Sequence, residues 1–193
     1  MKTKLLMTVI LLSTIVSFAQ SQTSQHLTFK GVPIDGTLVE FVSKMKQNGF
    51  TEMEPDKGVV MLQGDFASYK DCIARVTTLQ GKDLVSEVTV IFPKQAVWSS
   101  LASNYFNLKE MLTEKYGQPS ENIEKFTSIA PDDDGLKMVQ VRLDRCKYIT
   151  TYKTDKGSIQ LSIKVNNSSA FVILTYLDKI TGNIIRAKAK DDL

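Results

Sequence analysis

Residues 157–177, GSIQLSIKVNNSSAFVILTYL, are the stretch on which the fold turns. Ile159, Leu161, Ile163 and Val165 alternate with polar residues, the period-two pattern of a strand with one face on a core. Asn166-Asn167-Ser168-Ser169 is a run of turn formers, after which residues 170–177 are again apolar. The reading is a β-hairpin, hence an antiparallel sheet whose apolar face needs a cover.

Upstream, Asp155-Lys156-Gly157 turns the chain into that hairpin. Residues 138–152 read as a long strand that changes phase: Val139, Val141 and Leu143 share one face, Cys146 and Tyr148 the other. A bulge near Asp144-Arg145 would reconcile the two parities. A helix is expected from about Val97, because Trp98, Leu101, Tyr105, Leu108 and Leu112 recur at spacings of three and four. Tyr116-Gly117-Gln118-Pro119 stops it.

The first half has the same order of elements. Thr37 and Glu40 form a capping box, and Leu38, Phe41, Val42 and Met45 make one apolar helix face. Gly49 is placed to end that helix in the left-handed conformation, with Phe50 closing on Met45. Residues 58–63 are a short apolar run. Cys72, Ala74 and Val76, then Leu84, Val88, Val90 and Phe92, give two alternating strands around Gly81-Lys82-Asp83.

A helix followed by three strands therefore occurs twice, in halves of about 27–93 and 94–178. The predicted fold is α+β: a two-layer sandwich with tandem α-β-β-β units and two helices on one face of an antiparallel sheet. This layout resembles the β-lactamase-inhibitor-protein fold.

Residues 1–19 read as a signal peptide: Lys2 and Lys4, an apolar run of about 14 residues, and the small-x-small exit Ser17-Phe18-Ala19. The run falls short of the roughly 18–20 residues that span a bilayer. The mature chain, a single domain over residues 20–193, is expected to start near Gln20 and to have no membrane span. It is expected to be periplasmic or secreted. Asn166-Asn167-Ser168 and Asn167-Ser168-Ser169 match glycosylation sequons, and Lys190-Asp191-Asp192-Leu193 is similar to a retrieval tail. Those two signals would suit the endoplasmic-reticulum lumen, whereas the Lys-rich start points to bacterial export. The sequence has 24 basic and 21 acidic side chains, and two of the basic ones leave with the signal peptide. That near-neutral balance argues against nucleic acid as a partner.

Cys72 and Cys146 are the two cysteines. In an oxidising compartment the pair invites a disulfide, which the chain-entropy model values at roughly 4 kcal/mol for so long a loop. Two unlinked buried thiols are the alternative.

Catalytic chemistry finds little support. One histidine, His26, and two distant cysteines cannot make a standard zinc site, so no metal and no cofactor are expected. Asp132-Asp133-Asp134-Gly135 lacks the alternation of a calcium loop and reads as a solvated acidic loop. There is no nucleophile elbow and no Gly-rich phosphate loop. Asp65, Asp71 and Glu87 are ordinary carboxylates, so no catalytic residue is assigned. Tyr148, Thr150 and Tyr152 share one strand face and are the candidate binding residues, against a plain reading as cross-strand packing.

Residues 27–37, LTFKGVPIDGT, with Gly49-Phe50, Gly64-Asp65-Phe66-Ala67 and Lys115-Tyr116-Gly117-Gln118-Pro119, are similar to segments of small exported bacterial proteins. The resemblance implies an envelope location and a shared fold, and brings no catalytic residue. The expected function is a non-enzymatic binding domain for a protein or carbohydrate ligand, working through a sheet face that the helices leave uncovered. The alternative is a small periplasmic hydrolase whose carboxylates converge only in space.

Overall fold

A computed structural model describes residues 25–54, 59–79, 81–127 and 132–191. Residues 1–19, read as a signal peptide, and the last two residues of the Lys190–Leu193 tail lie outside them. Eight strands form one antiparallel sheet: β3 (Thr51–Glu52), β4 (Val60–Phe66), β5 (Tyr69–Thr78), β6 (Val85–Ile91), β7 (Glu121–Phe126), β8 (Cys146–Lys153), β9 (Gly157–Asn166) and β10 (Ser169–Asp178). Their order across the sheet is β3-β4-β5-β6-β10-β9-β8-β7. Each half is thus a meander, and the halves join through their last strands, β6 and β10. Each unit carries the three expected strands and opens with one more, β3 or β7. A small hairpin, β1 (Thr28–Phe29) with β2 (Val32–Pro33), precedes them.

The helices are α1 (Leu38–Gln47), α2 (Trp98–Tyr116), α3 (Asp134–Arg142) and α4 (Lys179–Asp191). The capping box forms in full: Glu40 N–H donates to Thr37 Oγ1 at 3.3 Å, and Thr37 N–H to Glu40 Oε2 at 3.1 Å. At the far end Gly49 takes φ 86° and Phe50 N–H reaches back to Met45 O at 3.1 Å, a Schellman closure.

Register shows that α1 and α2 cover the same face. Val60, Val76, Val88, Tyr176, Ile159 and Tyr152 are successive partners in one row across the sheet. Val60 lines a shallow cavity with Leu38 and Val42 of α1, and the Tyr152 hydroxyl donates to Lys109 O of α2 at 3.0 Å. Phe29, Phe41, Met45, Leu62, Leu101, Tyr105, Leu108 and Leu161 are all buried in a core shared by both halves. The α+β sandwich is therefore the architecture. On the opposite face the isoleucines 73, 91, 173, 149 and 123 fall in one transverse row, interrupted by Ser162. Among the described residues no helix is long and apolar enough to cross a membrane.

Three local expectations fail. Residues 138–142, expected to open a strand, lie instead in helix α3, because Asp133 caps it by accepting Leu136 N–H at 2.8 Å, and Met138 and Val141 bury one helical face. The acidic stretch 132–134 is thus partly a helix cap, and Asp134 also accepts the Ser99 amide and hydroxyl. Toward the C-terminus α4, for which the sequence carried no expectation, packs against β10, β9 and β6. The Cys72–Cys146 bridge is absent, and both thiols are free. Cys72 is on β5 and Cys146 on β8, with β6, β10 and β9 between them. Four strand spacings put them roughly 19 Å apart, whereas a disulfide needs Cα atoms within about 7 Å.

Candidate aromatic groove

Strand alternation places Tyr148, Thr150 and Tyr152 on one face, and that face is the one beneath α2. Thr150 and Tyr152 are buried, at 0% and 1% exposure. The Thr150 hydroxyl lies 2.5 Å from the Tyr105 hydroxyl of α2 and donates to Asn122 Oδ1 of β7 at 2.7 Å. Tyr152 bonds to α2 at Lys109 O and lies 2.8 Å from the Thr113 hydroxyl. These two residues fasten the helix to the sheet and present no surface to a ligand. They also do not lie on the sheet face away from the helices, where the expected working surface was placed.

Tyr148 is different. It is half-buried, and four rings surround it: Trp98, Tyr105, Phe106 and Phe126, with centroids 5.3–6.2 Å away, all edge-to-face. Such geometry sets the positive edge of one ring against the negative face of another. Trp98, Ala102 and Phe106, four residues apart on α2, form one wall of a groove of about 540 Å³. Glu124, Lys125 and Phe126 of β7 form the opposite side, with Tyr148 and Lys137 completing it. Phe106 is 44% exposed, so its ring is presented to solvent while Trp98 is nearly closed in at 8%.

The charges are arranged around this apolar floor. Lys109 Nζ lies 2.6 Å from Glu124 Oε1, and both side chains are about four-fifths buried. Burial pushes the Tyr148 phenol above its ordinary range, with Cys146 and Glu124 adding to it, so it remains a neutral donor. Burial likewise raises Tyr105, while its bond to Thr150 acts the other way. Lys137 carries positive charge at the side of the groove. The arrangement can hold a flat or apolar group and bond to its polar margin.

Sequence reading found Tyr148 but missed Phe106, Phe126 and Lys137. The i, i+4, i+8 spacing of Trp98, Ala102 and Phe106 was the available signal; Phe126 stands alone in a polar stretch and gave none.

The other chemical candidates are scattered. Asp65 and Asp71 meet at the β4–β5 turn, where Asp71 N–H donates to Asp65 Oδ1 at 3.3 Å beside Lys30 and Gln63. Glu87 does not join them; it accepts from Thr89 and pairs with Arg75 on the opposite face. His26 lies 3.1 Å from buried Asp178 and 3.4 Å from Asp35. Among the described residues no three His, Cys, Asp or Glu side chains converge as a metal site would require. Burial raises the Cys72 thiol to about 11 and the Cys146 thiol to about 12, which leaves neither as a ready nucleophile at neutral pH. A scan of protein-family models, a search of curated proteins and a search of solved structures find no match to this chain.

Proposed function

We propose that this chain is an exported, non-enzymatic binding domain of the bacterial envelope, and that the groove around Tyr148 is where its ligand sits. The observation that carries the reading is the cluster of Trp98, Phe106, Phe126 and Tyr148 in one open groove, with Phe106 presented to solvent. Grooves of mostly apolar lining and a few polar groups are the usual form of a ligand site. A sugar ring stacked on Phe106, or an apolar side chain of a partner protein inserted beside it, matches that lining. The expected location follows from the signal-peptide pattern of residues 1–19 and is checked by terminal sequencing of the secreted product, which should begin near Gln20.

The test is ligand-observed NMR against soluble oligosaccharides and short aromatic peptides, repeated with Phe106→Ala. Saturation transfer to one class of compound, lost in the variant, supports the reading. Transfer to none of them, or transfer that Phe106→Ala leaves intact, overturns it.

A further inference from the structure

β7 closes one edge of the sheet, and no described strand lies beyond it. Thr127 N–H donates to Arg145 O across the β7–β8 pair. Antiparallel alternation then turns the main-chain groups of residues 121, 123 and 125 inward to β8, and those of Asn122, Glu124 and Phe126 outward. A row of unpaired outward groups is a template for another strand, and charges on an edge ordinarily discourage that pairing.

Here the charges are symmetric in position and opposite in sign. Glu121 and Lys125 stand two residues on either side of Ile123, all three on the face away from α2, and both charged side chains are exposed. Among the described residues neither has an ion-pair partner. Lys125 instead stands directly across from Lys147. Like charges so placed destabilise a strand pair.

We propose that two copies of this chain pair β7 to β7, antiparallel about Ile123, to make one continuous sheet. In that register Glu121 faces Lys125 of the second copy and Lys125 faces its Glu121, which offsets the Lys125–Lys147 repulsion. Asn122 and Glu124 of the second copy exchange main-chain bonds, as do Glu124 and the second copy's Asn122, about four bonds in all. The isoleucine row runs on through Ile123 to Ile123. Sliding by two residues sets Glu124 against Glu124 in one direction and Lys125 against Pro119 in the other, so the charge pattern selects one register. The contact is self-complementary and closes as a two-fold dimer. Because Glu124 and Phe126 line the aromatic groove, each groove gains Asn122 of the other copy along its open side. The proposal is independent of what the groove binds.

Sedimentation of the purified chain across a wide concentration range should show a reversible monomer–dimer equilibrium. Lys125→Glu and Glu121→Lys should each weaken it by about tenfold or more, since each makes both cross-copy contacts like-charged. Mixing the two variants should restore association, because every contact is then of opposite sign. Ile123→Cys should cross-link on mild oxidation, as facing residues at a non-hydrogen-bonded antiparallel position have Cα atoms about 4.5 Å apart. A chain that stays monomeric throughout, or a dimer indifferent to both charge reversals and without the Ile123→Cys cross-link, overturns the proposal.

Discussion

Asp178 accepts the amide of Leu27 at 2.8 Å, so the last residue of β10 holds the first segment of the described domain. The same carboxylate accepts Ile180 N–H, Thr181 N–H and the Thr181 hydroxyl, and it lies fully buried against His26. One side chain therefore caps α4 and ties down the N-terminal hairpin. Asp178→Ala strips several buried donors of their acceptor and should cost about 2–4 kcal/mol in urea unfolding. Asp178→Asn keeps a capping oxygen and should cost less than the alanine.

Gly64 on β4 passes directly under the Phe50 ring: an added Cβ would sit 2.8 Å from the nearest ring carbon. Gly64→Ala should therefore destabilise by about 1–3 kcal/mol through overpacking. The same change in a Phe50→Leu background should cost less than in the wild type. Denaturation of the four proteins in that cycle measures the coupling.

Both thiols, and the buried phenols of Tyr105 and Tyr176, are held protonated by burial. These acids ionise more easily in the unfolded chain, so above pH 9 unfolding releases protons and stability falls as pH rises. For Cys72, whose ordinary value of 9 is raised to about 11, the loss runs mainly between those two values. Thermal unfolding from pH 7 to 11 should show a declining midpoint. Intact mass should be the same with and without reductant, and native alkylation of Cys72 should be slow until the chain unfolds.

The parts of the fold legible in the sequence were those specified locally. Thr37, Glu40, Gly49 and Phe50 define α1 by side-chain bonds and a left-handed glycine, and all four act as read. The 157–177 hairpin follows from alternation, with Asn167 and Ser168 taking the positive φ its turn needs. What failed depends on tertiary position. Val139, Val141 and Leu143 alternate like a strand, but the Asp133 cap and the burial of Met138 with Val141 decide for helix. Parity put Tyr148, Thr150 and Tyr152 on one face without saying which face α2 would cover. Two cysteines in a chain expected to be exported suggested a bridge, and only strand order shows them too far apart.

Phe106 is largely exposed, so Phe106→Ala should leave stability within about 1 kcal/mol of wild type. Lys109→Met should behave otherwise: it strands the part-buried Glu124 carboxylate without its 2.6 Å partner and should cost about 1–3 kcal/mol. Chemical denaturation of both variants separates a residue that lines the groove from one that builds it.

Trp98 is the single tryptophan and lies in the groove wall, so its emission reports directly on occupancy. The most direct test is a fluorescence titration with chitotetraose and with a Phe-containing tetrapeptide, run on wild type and on Phe106→Ala. A saturable blue shift with one of the two probes is expected in wild type, and none in the variant. Emission unmoved by either probe in wild type, or an equal shift in Phe106→Ala, would contradict it.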